Sequence, residues 1–157
     1  MTLRKIVQKG FHTTAQIIRY GLIYTATLCA TEYYAEFKNS DSPINSQEDL
    51  TKIVSEERKI LTIPDSIKIN SEYYPNTTVA YSAKLDHNLY TIHIGGKSVM
   101  GPCTRGTVKH ELYHIADGHC DQGNQALFEN NKFAANATYF LYWEPQAAIY
   151  SAFDIKL

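Results

Sequence analysis

Apolar side chains at Leu50, Ile53, Val54, Ile60 and Leu61 recur at near-helical spacing, and Ser46 followed by Asp49 is a helix-start pattern. An amphipathic helix is therefore predicted over 47–61, ended by Pro64. Ile67 to Ile69 reads as a short strand. Val79 to Ala83 and Leu89 to Ile94 read as two strands around a turn at Asp86-His87-Asn88. Gly95, Gly96, Gly101 and Pro102 interrupt the pattern. A helix is predicted from about Thr104 to Ala116, stopping at Gly118, then another over roughly 123–143 and a last over roughly 145–155. No repeat and no low-complexity tract is present. A helix, then strands, then helices makes the fold class α+β.

Ahead of these elements the pattern changes. The first 30 residues carry Arg4, Lys5, Lys9 and Arg19 and no acidic residue, and Tyr20 to Ala30 is an apolar run of 11 residues. A basic leader followed by 7 to 15 apolar residues has the form of a secretory signal. An acid-free, Thr-rich leader also suits a transit peptide. Ile17 to Ala30 could instead anchor the chain in a membrane with Arg19 tilted to the interface, and the plainest alternative is an amphipathic helix packed on the domain. We assign 1–31 to a signal, transit or anchor segment, 32–46 to a linker whose 38–46 stretch is polar and turn-rich, and 47–157 to the folded domain. A secreted, periplasmic or membrane-anchored location is expected ahead of a cytoplasmic or organellar one.

Composition narrows the classes. The chain has 157 residues, enough for one domain with a real core, and its 44% apolar and 20% charged residues are ordinary globular values that exclude wholesale disorder. A net charge of −1 argues against a nucleic-acid binder, and the lack of long uncharged apolar runs excludes a multi-span membrane protein. Of the three cysteines, Cys29 lies in the leader. The remaining pair, Cys103 and Cys120, could form a disulfide closing a loop of about 18 residues, worth on the order of 3 kcal/mol.

The chemistry lies in residues 107–119, TVKHELYHIADGH. His110, Glu111, Leu112, Tyr113 and His114 form H-E-x-x-H. With six His and nine Glu in the chain, this pattern arises by chance about 0.01 times, so it is a specific signal. Positions i and i+4 share a helix face, so His110 and His114 can hold one metal ion together. Glu111 is turned about 100° away and can reach a water at that ion. Val108, Leu112 and Ile115 fall on the opposite, apolar face. Zinc, Zn2+, suits His nitrogen and carboxylate oxygen. A catalytic zinc site has three protein ligands. Cys120, six residues past His114, and Glu129 are possible third ligands, and Glu144, 30 residues past His114 on a later helix, is favoured over both.

The segments H-E-L-Y-H-I-A-D-G-H at 110–119 and Glu144-Pro145-Gln146-Ala147 resemble the gluzincin metalloproteases, closest to the ImmA/IrrE-like and HtpX-like groups. The resemblance covers roughly 80–155. It implies a minimal zincin-like fold, a small mixed sheet with an active-site helix and a glutamate helix. It implies His110, His114 and Glu144 as zinc ligands, Glu111 as general base, and a peptide or protein substrate paired to the strand Tyr90–Ile94 as the sheet edge. Ala148 stands where the family often has Asp or Asn, which removes one support of the ligand. Pro145 restricts its predecessor, so Glu144 is expected outside helical geometry, at the start of the last helix. Tyr150, His93, His119 and Tyr113 are the candidate oxyanion donors. The alternative, motivated by the weakened surroundings of Glu144, is a zinc-holding regulatory or interaction module that uses the same three ligands without turnover.

Overall fold

A computed structural model describes residues 3–98, 101–121, 129 and 131–157, with side chains from Gln16 onward. The helices are α1 Leu3–Lys38, α2 Gln47–Ile60, α3 Arg105–Ala116, α4 Lys132–Thr138 and α5 Glu144–Phe153, with a π-helical turn Tyr139–Trp143 joining the last two. The strands are β1 Lys68–Tyr74, β2 Ala80–Asp86 and β3 Leu89–Gly95. They form one mixed sheet in the order β1-β3-β2, with β1 parallel and β2 antiparallel to β3. The architecture is α+β with a small mixed sheet, as the pattern implies.

Tyr90, Ile92 and Ile94 alternate along β3 and point into the core, where they meet Leu50, Ile53 and Val54 of α2 and Val108, Leu112 and Ile115 of α3. Burying each such side chain contributes about 1.5–3 kcal/mol, so the back face of α3 is fixed and its front face cannot rotate. Ser46 caps α2 by accepting from the Asp49 N–H at 3.1 Å, and Thr104 caps α3 by accepting from the Gly106 N–H at 3.1 Å.

Four expectations need correction. Strand β1 extends to Tyr74, well beyond Ile69, because continuous pairing with β3 holds a segment whose own residues only alternate between exposed and half-buried. Strand Tyr90–Ile94 is not an edge: it lies within β3, the central strand, and the edge packed beside α3 is β2. Residues 32–38, read as linker, are the last turns of α1 and part of the body. Ala35 is buried against Gly106, where an added Cβ would stand 3.0 Å from the Ala35 carbonyl oxygen. Tyr34 stacks on Phe153 at 5.4 Å, and Lys38 pairs with Asp154 at 2.9 Å. Finally, Cys103 and Cys120 are free thiols, not a bridge. They sit just outside opposite ends of α3, whose 12 residues span about 18 Å, far beyond disulfide reach.

Of the helix predicted over 123–143, residues 123–128 and 130 lie outside the described residues. Among the described residues no helix is long and apolar enough to cross a membrane.

Candidate metal centre

Helix α3 presents His110 and His114 from the face opposite its apolar stripe. Their Nε2 atoms lie 3.2 Å apart. Glu144, the first residue of α5, reaches them from across the cleft: Oε2 is 3.3 Å from His110 Nε2 and Oε1 is 3.3 Å from His114 Nε2. Ligands held at about 2.0–2.1 Å by one tetrahedral ion stand about 3.3 Å from one another; the three contacts here have that length, those to Glu144 being made by its two different oxygens. Glu144 Oε1 is also buried with no donor in hydrogen-bond geometry, an acceptor that a cation would satisfy. These three residues can therefore hold a metal ion. Cys120 and Glu129, the other third-ligand options, are not in the cluster: the Cys120 thiol faces Ser82 Oγ at 3.5 Å and Glu129 is exposed.

Pro145 does not expel Glu144 from the helix, as its sequence position implies. Glu144 has φ −59 and ψ −46, ordinary right-handed helical values. The strain is absorbed upstream, because a proline ring clashes with the carbonyl four residues earlier. The chain widens into the π turn over 139–143, and the Glu144 N–H donates five residues back, to the Tyr139 carbonyl. That same turn brings the Tyr139 side chain to the site. Its phenol donates to the Glu144 carboxylate, and its ring stacks on His114 with centroids 6.1 Å apart. Tyr139 thus supports Glu144 where Ala148 cannot. Sequence reading missed it, since an i, i+5 partnership belongs to neither helix nor strand periodicity.

Burial alone would lower the His110 pKa, but the Glu144 carboxylate and the charges of Glu111 and Glu32 outweigh it and push the imidazole up to about 8. Burial likewise opposes ionisation of Glu144, and the adjoining His110 and His114 rings overcome it, holding the carboxyl well below its ordinary range. Burial, then the Glu144 charge, pushes the Tyr139 phenol up, so it stays a donor. Burial pushes the Cys120 thiol up to about 11, which keeps it protonated.

Two hollows flank the cluster. The larger, about 660 Å³, is walled by α1 through Cys29, Glu32 and Glu36 and reaches His110 and Glu111. The smaller, about 190 Å³, contains His114, His119, Tyr139 and Trp143. Ala80 of β2 and Glu111 line both. Glu111 is thus the carboxylate that borders both hollows beside the cluster.

Of the four expected oxyanion donors, His93, Tyr113 and Tyr150 line neither hollow and only His119 borders the smaller one. His93 stacks between Tyr74 and Tyr81 beside Glu72. Tyr113 and Tyr150 stack on each other at 5.2 Å, with Tyr113 Oη donating to the Leu157 carbonyl at 3.3 Å. His119 sits behind His114, away from the Nε2 that faces His110 and Glu144, with Nδ1 to Nδ1 at 2.8 Å.

Compared with protein-family models, with curated proteins and with solved structures, the chain matches none.

Proposed function

We propose that this chain is a zinc-dependent metallopeptidase of the gluzincin type, a minimal zincin-like domain in which His110, His114 and Glu144 hold Zn2+. The observation that carries this reading is the convergence of two imidazole nitrogens 3.2 Å apart with the two oxygens of one carboxylate, each 3.3 Å from one of them, beside two hollows with Glu111 in both. Two neutral imidazoles and one carboxylate are a donor set that favours zinc and leaves one position open for chemistry.

Zinc, when bound, polarises a peptide carbonyl and lowers the pKa of a water. The remaining work falls to this chain's own side chains. Glu111, buried and one residue from a ligand, takes a proton from the attacking water and returns it to the leaving amine. Tyr139 holds Glu144 in place through its phenol. An extended peptide lies along β2, whose outer edge carries no strand partner among the described residues; adding a strand there supplies main-chain hydrogen bonds whatever the side chains of the substrate.

The test is elemental analysis of purified protein together with cleavage of casein or a peptide library. About one zinc per chain is expected, with Glu111→Gln retaining the metal and cleaving about 10²–10⁴-fold more slowly. Equal cleavage by the two proteins refutes the peptidase reading. Stoichiometric zinc without cleavage by either makes the site a zinc-held binding module.

A further inference from the structure

Behind His114 stands a second buried imidazole that the proposed chemistry does not use. Helix α3 ends in Asp117 and Gly118, and Gly118 has φ +72, a left-handed conformation natural to glycine. The Gly118 N–H donates to the Ile115 carbonyl at 3.3 Å and the His119 N–H to the His114 carbonyl at 2.9 Å, the paired bonds of a Schellman turn. This reversal folds His119 back beneath His114. Its ring is gripped by Trp143, stacked at 5.1 Å, and by the edge of Tyr113 at 5.9 Å.

The two Nδ1 atoms are 2.8 Å apart, so one is a donor and the other an acceptor. On its far side, His119 Nε2 is buried 3.0 Å from Asp117 Oδ2, at ion-pair distance but outside hydrogen-bond geometry, and also faces the side chain of Gln146. An ionised carboxylate only accepts, so the proton of a neutral His119 belongs on Nε2. Its Nδ1 is then a bare lone pair, ready to accept from His114 Nδ1–H. A His114 that carries its proton on Nδ1 has its Nε2 lone pair free, and Nε2 is the atom aimed at His110 and Glu144. The opposite arrangement would place a proton on the atom the metal needs.

We infer that His119, oriented by Asp117, is a positioning residue that accepts the buried Nδ1 proton of His114, so committing His114 to metal ligation through Nε2 and fixing the aim of its ring. This rests on the metal-site reading and adds to it a supporting chain, Asp117 to His119 to His114. Outer partners of ligating histidines are worth about 10–100-fold in metal affinity.

The experiment is a zinc affinity measurement by competition with a chromophoric chelator, on full-length wild type, His119→Phe and Asp117→Ala. Phenylalanine keeps the aromatic stacking and removes both nitrogens. Zinc should bind His119→Phe about 10–100-fold more weakly, and Asp117→Ala at least threefold more weakly, with the metal-free proteins still folded by circular dichroism. Long-range ¹⁵N–¹H spectra of zinc-loaded wild type should place the His119 proton on Nε2. Affinities of both variants within twofold of wild type, or a His119 proton on Nδ1, overturn the inference. Should His119→Phe not fold, the surface variant and the spectrum decide it. A wild type that binds no zinc defeats the metal-site reading itself, an outcome distinct from variants that bind as wild type does.

Discussion

Protons and metal compete for the same nitrogen at His110, and the competition has a calculable size. With its pKa pushed up to about 8 in the metal-free protein, the ring is half protonated at pH 8 and about 99% protonated at pH 6. The proton must leave before zinc can bind. From His110 alone, the apparent zinc affinity should therefore weaken about 50-fold between pH 8 and pH 6, whereas an ordinary imidazole near pH 6.5 would give about fourfold. The same shift has the opposite sign for the metal-free fold. A raised pKa contributes stability that is complete below the unfolded value of 6.5 and is lost as pH rises through about 8. The amount is about 2 kcal/mol for a shift from 6.5 to 8. Zinc should thus add most to thermal stability where the metal-free protein has lost that contribution, at and above pH 8. Titration calorimetry at pH 6, 7 and 8, in buffers of differing ionisation enthalpy, reads both affinity and proton release. A fourfold change or less, with no proton released at pH 7, would refute the argument that Glu144 and its acidic neighbours hold His110 charged.

Three further outcomes follow from particular contacts. Tyr139→Phe removes the hydrogen bond to Glu144 while keeping the ring on His114, so zinc affinity should fall several-fold, toward the 10–100-fold typical of ligand supports, with the melting temperature of the metal-free protein nearly unchanged; the chelator assay detects it. Gly106→Val drives a branched side chain into the Ala35 carbonyl, 3.0 Å from the Cβ position, and should cost about 1–3 kcal/mol as α1 is forced off α3, seen as a melting temperature lowered by several degrees. Arg105→Met strips the partners of Glu57, a fully buried carboxylate that Arg105 Nε holds at 2.6 Å, and should lower stability by about 3 kcal/mol, measured as a reduced urea midpoint at constant m-value.

Local patterns carried much of this protein. The apolar stripe Val108, Leu112 and Ile115 dictated which face of α3 is buried, and with it which face presents His110 and His114, because helical periodicity needs no knowledge of the rest of the chain. Ser46, Thr104 and Gly118 marked helix ends by chemistry that acts within a few residues. Glu144 was reachable from motif spacing as a partner of the two histidines, and its carboxylate does converge on both of them. Other features depended on contacts between distant segments. The order of strands in the sheet is set by which faces the helices cover, so the sequence of β3 gives no sign that it is central and β2 the edge. The last turns of α1 read as leader and linker, yet Ala35, Tyr34 and Lys38 make them a wall of the domain through partners 70 to 120 positions away. Tyr139 reached the site because a proline clash was relieved by a π turn, and His119 gained its place because a glycine reversal met Trp143 from another helix. Periodicity and capping are short-range and can be read along the chain; side-chain convergence is a property of packing, and only the folded core brings those residues together.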